Sequence, residues 1–500
     1  MERLKKWRAG WAYPTILLCV YGFFSTVKPL EPFLIPFFTG PDKNLTTEQV
    51  INEILPVWTY SYLCVLVPVF LLTDWLRYKP VVVFQSVNLL ITTIFLLWLR
   101  SVAAMQAMEF FYGVVTATEV AYFSYIYSVI DPAHYRKATS YCRSVQLLGY
   151  TVGAVLGQLL VSFDLLSYSG ILVLTMVLSS LALLTSCLLP MPRRSMFFHR
   201  HRGPAPEGSG KSTEAGGAVV SAETDTQEGA AGREGGTGGL AAQEKGDEGD
   251  EDEGGEGSAR AAGCGQVLLQ LWADFLKCYS SKQLLYWSVW WAMATCGYNQ
   301  TVNYVQVLWQ HVEPSENFTM YNGGVEAVSN LFGAATAYGV GFLQVNWSHW
   351  GELSLGAFSG LEATALFLMT FTGSIWVCYA GYVIFKGLYM LLITIATFQI
   401  AADLSMERYA LVFGVNNFGA LVLQTIITSI VVDSRGLGLA IIPQFTIYSS
   451  YFAVIAVIFT IRGVFTIWKE RRCSEEPASS KSDPPDPGAC LEDRLKSSAL

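Results

Sequence analysis

Runs of about twenty apolar residues recur along this chain, each long enough to cross the hydrocarbon of a bilayer as one helix. Inside that hydrocarbon every backbone N–H and C=O needs an internal partner, and a helix supplies them within its own length. The expectation is therefore an all-α polytopic membrane protein. Composition agrees: 52% of the 500 residues are hydrophobic, only 14% are charged, and the mean hydropathy is +0.37.

The sequence predicts twelve transmembrane helices in two halves of six. The first six are Trp11–Phe24, Pro56–Leu72, Val81–Leu99, Met105–Ser128, a fifth carrying Gly149, Gly153 and Gly157, and a sixth ending at Leu189. The second six are Leu284–Trp309, Tyr321–Leu343, Leu353–Phe371, Ile375–Ile400, Tyr409–Val432 and Pro443–Trp468. The basic MERLKKWR start, the short basic loops around Arg77 and Lys137, the HRHR run and the Lys469-Glu-Arg-Arg tail put both termini in the cytoplasm. Asn44-Leu-Thr46 and the sequon at Asn317 then face outside as glycosylation sites, while Asn346 faces inside. Two six-helix halves with a long loop between them are the layout of secondary transporters.

Residues 203 to about 262 are Gly, Glu, Ala and Ser with acidic blocks such as GDEGDEDEGGEG. Such a stretch has too little apolar surface to order itself. The division is a six-helix bundle over 1–200, a disordered acidic cytoplasmic loop over 201–265, a second bundle over 266–470 and a disordered cytoplasmic tail over 471–500. That loop holds much of the acid behind the net charge of −8, so the charge does not bear on nucleic acid, for which no basic stripe exists. The ten cysteines show no paired spacing, which argues against a disulfide framework and against metal. No nucleophile, base or zinc motif appears and all five histidines lie outside the apolar spans, so neither an enzyme nor a cofactor is expected.

The chemistry concentrates in MQAMEFFYGVVTATEVAYFSYIYS, the fourth span. A carboxylate at the centre of a membrane helix costs about 2.5–3.5 kcal/mol on insertion scales, so Glu109 and Glu119 need a polar cavity. Tyr112 precedes Glu119 by seven residues, which places them about 20° apart on a helical wheel, and Glu109 lies one turn before Tyr112. An acidic and aromatic face of this kind suits a cation. In the first span Pro29 and Pro32 interrupt the helix around Lys28 and Glu31, as in broken helices that line cavities. Lys28 and Glu31 are spaced i,i+3 and could equally neutralise each other.

The runs GPDKNLT, NEILPVWTYSYL, TDWLRYKPVV, MEFFYGVVTATEVAYFSYIYSV, YCRS, YNGGVEA, ITIATFQIA and ERYALVFGVN resemble the vitamin carrier family of the reduced folate carrier and the thiamine transporters. The likeness covers both six-helix halves, and IYSVID, TCGY and IATFQIAADLSMERYALVFGVN are most similar to its thiamine-carrying members. It implies a major facilitator superfamily fold in the plasma membrane, a monomer in the bilayer, importing thiamine. The thiamine-site residues of that family fall on Glu31, Trp58, Glu109, Tyr112, Tyr150 and Asn299, and its cytoplasmic gate motif on Asp74 and Arg77. The chain departs from the pattern at Thr93 and Leu55, where one member has aromatic residues. Where the folate carrier has arginine, lysine and arginine, this chain has Glu119, Gln424 and Lys386, which disfavours a dianionic substrate.

Substrate sign follows from the residues as well. Carboxylates neutralise the thiazolium, aromatic faces give cation–π contact of up to about 2 kcal/mol, and an amide such as Asn299 serves the aminopyrimidine. Pyridoxine is the alternative substrate, and a vitamin sensor that does not transport is the alternative class. Protons are the expected coupling ion, exchanged at Glu109 first and Glu31 second.

Overall fold

A computed structural model describes residues 11–130, 134–192, 264–314, 320–340, 347–401 and 406–475. Its long helices are α1 (Ala12–Thr26), α2 (Leu55–Trp75), α3 (Lys79–Trp98), α4 (Val102–Val129), α5 (Tyr135–Ser162) and α6 (Tyr168–Leu188). They continue with α7 (Lys282–Val312), α8 (Asn322–Val340), α9 (Trp347–Phe371), α10 (Ile375–Ala401), α11 (Met406–Ile427) and α12 (Ile441–Glu475). Among the described residues eight helices are long and apolar enough to cross a membrane: α2 with the turns before it, α3, α5, α6 and α9 to α12. The other four fall short for a physical reason. α1 is cut off at Thr26, and α4, α7 and α8 carry polar residues facing the cavity described below.

Within the first six helices α4 packs on α2 and α3, α1 on α5 and α6, and α3 on α6. Within the second set α9 packs on α12 and α10, α8 on α10, and α7 on α11. The sets meet symmetrically, the second and fifth helices of one against the fifth and second of the other, as α2 against α11 and α5 against α8. Hydrogen bonds between the sets gather at one end of the bundle. There Tyr60 donates to Asp433 at 2.7 Å, the Asn52 amide to the Gly438 carbonyl at 3.2 Å, and Gln310 to Thr39 at 3.0 Å.

The break in the first span is present. α1 ends at Thr26, Val27 is extended, and Glu31–Phe33 forms a single 3₁₀ turn before the short helix Leu34–Thr39. Carbonyls freed by such a break must be re-satisfied in a bilayer. The Glu31 carbonyl accepts from Gln306 at 2.9 Å and the Pro32 carbonyl from Asn322 at 3.2 Å, so both are met by amides from the other set. On the opposite side the small residues of α5 let the backbone in. A Cβ added at Gly153 would lie 2.9 Å from the Lys28 nitrogen, and one at Gly157 would collide with the Pro29 carbonyl oxygen.

Three boundaries differ from expectation. Helical turns lead into α2 from Thr47, nine residues before the predicted Pro56, because Thr46 and Gln49 form a reciprocal capping box that starts the chain turning early. A helix over Cys264–Tyr279 begins two residues before the predicted start of the second bundle at 266, and α12 runs on to Glu475. Residues 201–263 of that loop and the tail beyond 475 lie outside the described residues, as do Asn317 and Asn346. Asn44 is exposed with a φ of 56°, in a loop held down by the buried Lys43, whose ammonium donates to the Leu99 carbonyl.

Candidate substrate cavity

A cavity of ≈ 470 Å³ opens among the helices of both sets, a volume in the range of small-molecule sites. Its richest wall is α4. Glu109, Tyr112, Thr116 and Glu119 succeed one another at three- and four-residue steps, so a single helix face delivers all four to the lumen. Tyr112 donates to a Glu31 carboxylate oxygen at 3.0 Å and receives the Lys28 ammonium at 3.0 Å, with Lys28 also 4.6 Å from its ring centroid. Lys28 and Glu31 form no ion pair with each other. The two residues that sequence spacing could have paired instead meet through a tyrosine from another helix.

Glu119 accepts from the Gln146 amide at 3.2 Å. Glu109 is only 4% exposed, and among the described residues no hydrogen-bond donor reaches its carboxylate. Trp58 is fixed by donating to Thr116 at 3.1 Å, and its ring lies 5.8 Å from that of Tyr62. Tyr150, 37% exposed, completes an aromatic and acidic wall in which Glu31, Trp58, Glu109, Tyr112, Glu119 and Tyr150 all line one space. Leu55 also lines it, whereas Thr93 is turned into the helix packing, its hydroxyl bonded to the Leu89 carbonyl at 3.0 Å.

Asn299 is not brought to this wall. Its amide donates to Gln424 at 3.1 Å, and Gln424 in turn reaches Thr59 at 3.4 Å, so it serves the contact between helices; Asn303, four residues on, lines the cavity instead. Asp74 and Arg77 lie away from the cavity. Asp74 accepts from Tyr78 at 2.5 Å in a tight turn where Arg77 and Tyr78 both have positive φ.

Sequence reasoning passed over two features, the Gln146 stripe and the pairing on the far wall. Gln146 lies one turn before Tyr150 and the next turn brings Ala154, a stripe that the spacing alone could have suggested. Of the two sequence readings of Lys28, lining a cavity or neutralising Glu31, it is the first that the lining residues match. On the far wall Lys386 is ion-paired to Glu326 at 2.5 Å, Tyr382 donates to the same carboxylate at 2.6 Å, and Tyr298 stacks on Tyr389 at 3.9 Å. The Glu326–Lys386 pair joins two helices sixty residues apart, and nothing in either stretch points at the other.

A family model described as "Reduced folate carrier" matches residues 9–447. The chain is 52% identical over 473 residues to human thiamine transporter 1, covering 95% of this chain and 94% of that protein. It is 49% identical over 478 residues to human thiamine transporter 2, covering 96% and 95%. Among solved structures it resembles the nucleoside transporter NupG with a TM-score of 0.54, at 12% identity over 90% of this chain and 97% of that one. This fold is that of the major facilitator superfamily.

Proposed function

The chain belongs to the reduced folate carrier family, and from that premise we propose that it imports thiamine across the plasma membrane by alternating access. The single observation that carries the reading is the wall in which Glu31, Glu109 and Glu119 stand beside Trp58, Tyr112 and Tyr150. Carboxylates neutralise the fixed thiazolium charge, and the aromatic faces hold it by cation–π contact and stacking. The remaining elements of the proposal are twelve spans, cytoplasmic termini, a monomer, an acidic loop joining the halves, and glycans at Asn44 and Asn317. With Asn44 outside, the bonds of Tyr60 to Asp433 and Gln310 to Thr39 close the external end, which corresponds to an inward-facing carrier.

Protons are the proposed coupling ion. A carboxylate as buried as Glu109, with no donor on it among the described residues, holds a charge at high cost and releases a proton most readily when a cation arrives. Uptake then speeds up when the outside is more alkaline than the inside, and indifference to a proton gradient in either direction would leave facilitated diffusion. The deciding test for the substrate is uptake competition among thiamine, pyridoxine and folate in cells lacking their own carriers. Saturable thiamine uptake blocked by neither competitor is expected. Preference for pyridoxine or folate would overturn the assignment, and binding of thiamine without its accumulation would make the protein a sensor.

A further inference from the structure

The cavity holds two ammonium groups, and they are held very differently. Lys386 is ion-paired to Glu326, whereas among the described residues Lys28 has no carboxylate paired with it. Its contacts are the Tyr112 hydroxyl at 3.0 Å and the face of the same ring, 4.6 Å from the centroid. It stands on the unwound stretch between α1 and the turn at Glu31, at the end of a long flexible side chain. These are the contacts an organic cation would take in this wall: the ring of Tyr112 and, through its hydroxyl, the Glu31 carboxylate.

We propose that Lys28 is a tethered stand-in for the substrate cation, occupying the Tyr112 position when the carrier is empty and displaced from it when the substrate binds. The inference rests on the thiamine reading and goes beyond it, because it assigns the step in which no substrate is present. With Glu109 protonated, three ionised carboxylates (Glu31, Glu119, Glu326) face two ammonium groups in the empty cavity, a formal balance of −1. A bound monocation that releases the Glu109 proton keeps it at −1, and loss of Lys28 from the empty carrier makes it −2, with the Glu31 carboxylate left uncompensated beside Tyr112. Rocking the two sets of helices closed around uncompensated charge is opposed by desolvation, so the empty carrier needs its own cation to reorient. Lys28 is a positioning and specificity residue in this scheme: it weakens binding by competition and enables the return step.

The test separates these two effects with purified protein in liposomes. Lys28→Met should bind labelled thiamine about tenfold more tightly, a change of about 1.4 kcal/mol. Exchange of external for internal thiamine, which needs no empty return, should stay within about threefold of the parent, and net uptake into thiamine-free vesicles should fall about tenfold. Lys28→Arg, which keeps the charge, should restore net uptake. Lys28→Gln serves as the second neutral variant and should repeat the behaviour of Lys28→Met. Binding that is unchanged or weaker in both neutral variants, or exchange and net uptake falling in parallel, would overturn the proposal. A parent protein that binds no thiamine would overturn the reading beneath it, a result separate from anything measured at Lys28.

Discussion

Gly157 on α5 stands so close to Pro29 in the broken first span that a Cβ added to it would collide with the Pro29 carbonyl oxygen. The neighbouring atom is backbone, so it can yield only by moving the turn that carries Lys28 and Glu31. Overpacking of this kind costs about 1–3 kcal/mol, and here the cost falls on the geometry of the cavity as well. Gly157→Ala is expected to lower thiamine uptake at matched surface level by more than about tenfold, the rate equivalent of 1.4 kcal/mol. Gly360→Ala is the control, since its added Cβ would make only an ordinary 3.7 Å contact with Ala456, and uptake should be unchanged.

Reversing the charge at Glu119 turns attraction into repulsion. At an effective dielectric of ~20, a unit charge ~6 Å from the thiazolium contributes roughly 2.8 kcal/mol. Glu119→Arg should therefore cut thiamine uptake by at least about two orders of magnitude at equal surface expression. Uptake near the parent level would reduce Glu119 to a partner of Gln146 and leave the charge argument on Glu31 and Glu109.

Asn299 and Gln424 should behave as one unit. In a double-mutant cycle with Asn299→Ala and Gln424→Ala, melting temperatures and thiamine affinity should be non-additive, with a coupling of about 1 kcal/mol. An Asn299→Ala variant with unaltered stability and sharply weakened affinity would place Asn299 on the substrate instead.

The bond from Tyr60 to Asp433 closes one end of the bundle. Removing it in Tyr60→Phe should shift the carrier toward the outward-open state. Labelling of a cysteine introduced as Gln310→Cys by a membrane-impermeant maleimide should then rise several-fold in intact cells. No change in labelling would mean that this bond does not hold the external end closed.

Topology is checked by glycan removal. Asn44→Gln should lose a gel shift, since Asn44 is exposed in its loop, and Asn346→Gln should not. A shift lost with Asn346 would invert the orientation of that loop.

Much of this protein is legible along the chain because the bilayer imposes local rules. The recurring apolar runs, the two prolines that stop α1, and the 3.6-residue repeat that aligns Glu109, Tyr112 and Glu119 are each settled within one or two turns of helix. Half of the acidic and aromatic wall was visible in the sequence for the same reason: Glu109, Tyr112 and Glu119 are one face of one helix, whereas Glu31, Trp58 and Tyr150 come from three other segments. The early start of the turns into α2 was local too, but its signal lay in the capping pair Thr46 and Gln49 within a polar stretch that reads as a loop.

What the sequence could not decide was who meets whom across helices. Lys28 takes Tyr112 rather than Glu31, and Asn299 takes Gln424 rather than the cavity. Glu326 pairs with Lys386, and Gly157 sits against Pro29. Each outcome depends on how far a helix is rotated about its own axis and how closely two backbones approach. Those quantities are set by packing summed over many residues distant in sequence, so that a turn of some tens of degrees moves an amide from ligand to neighbour. Periodicity fixes which residues share a face, and only tertiary packing fixes what that face looks at.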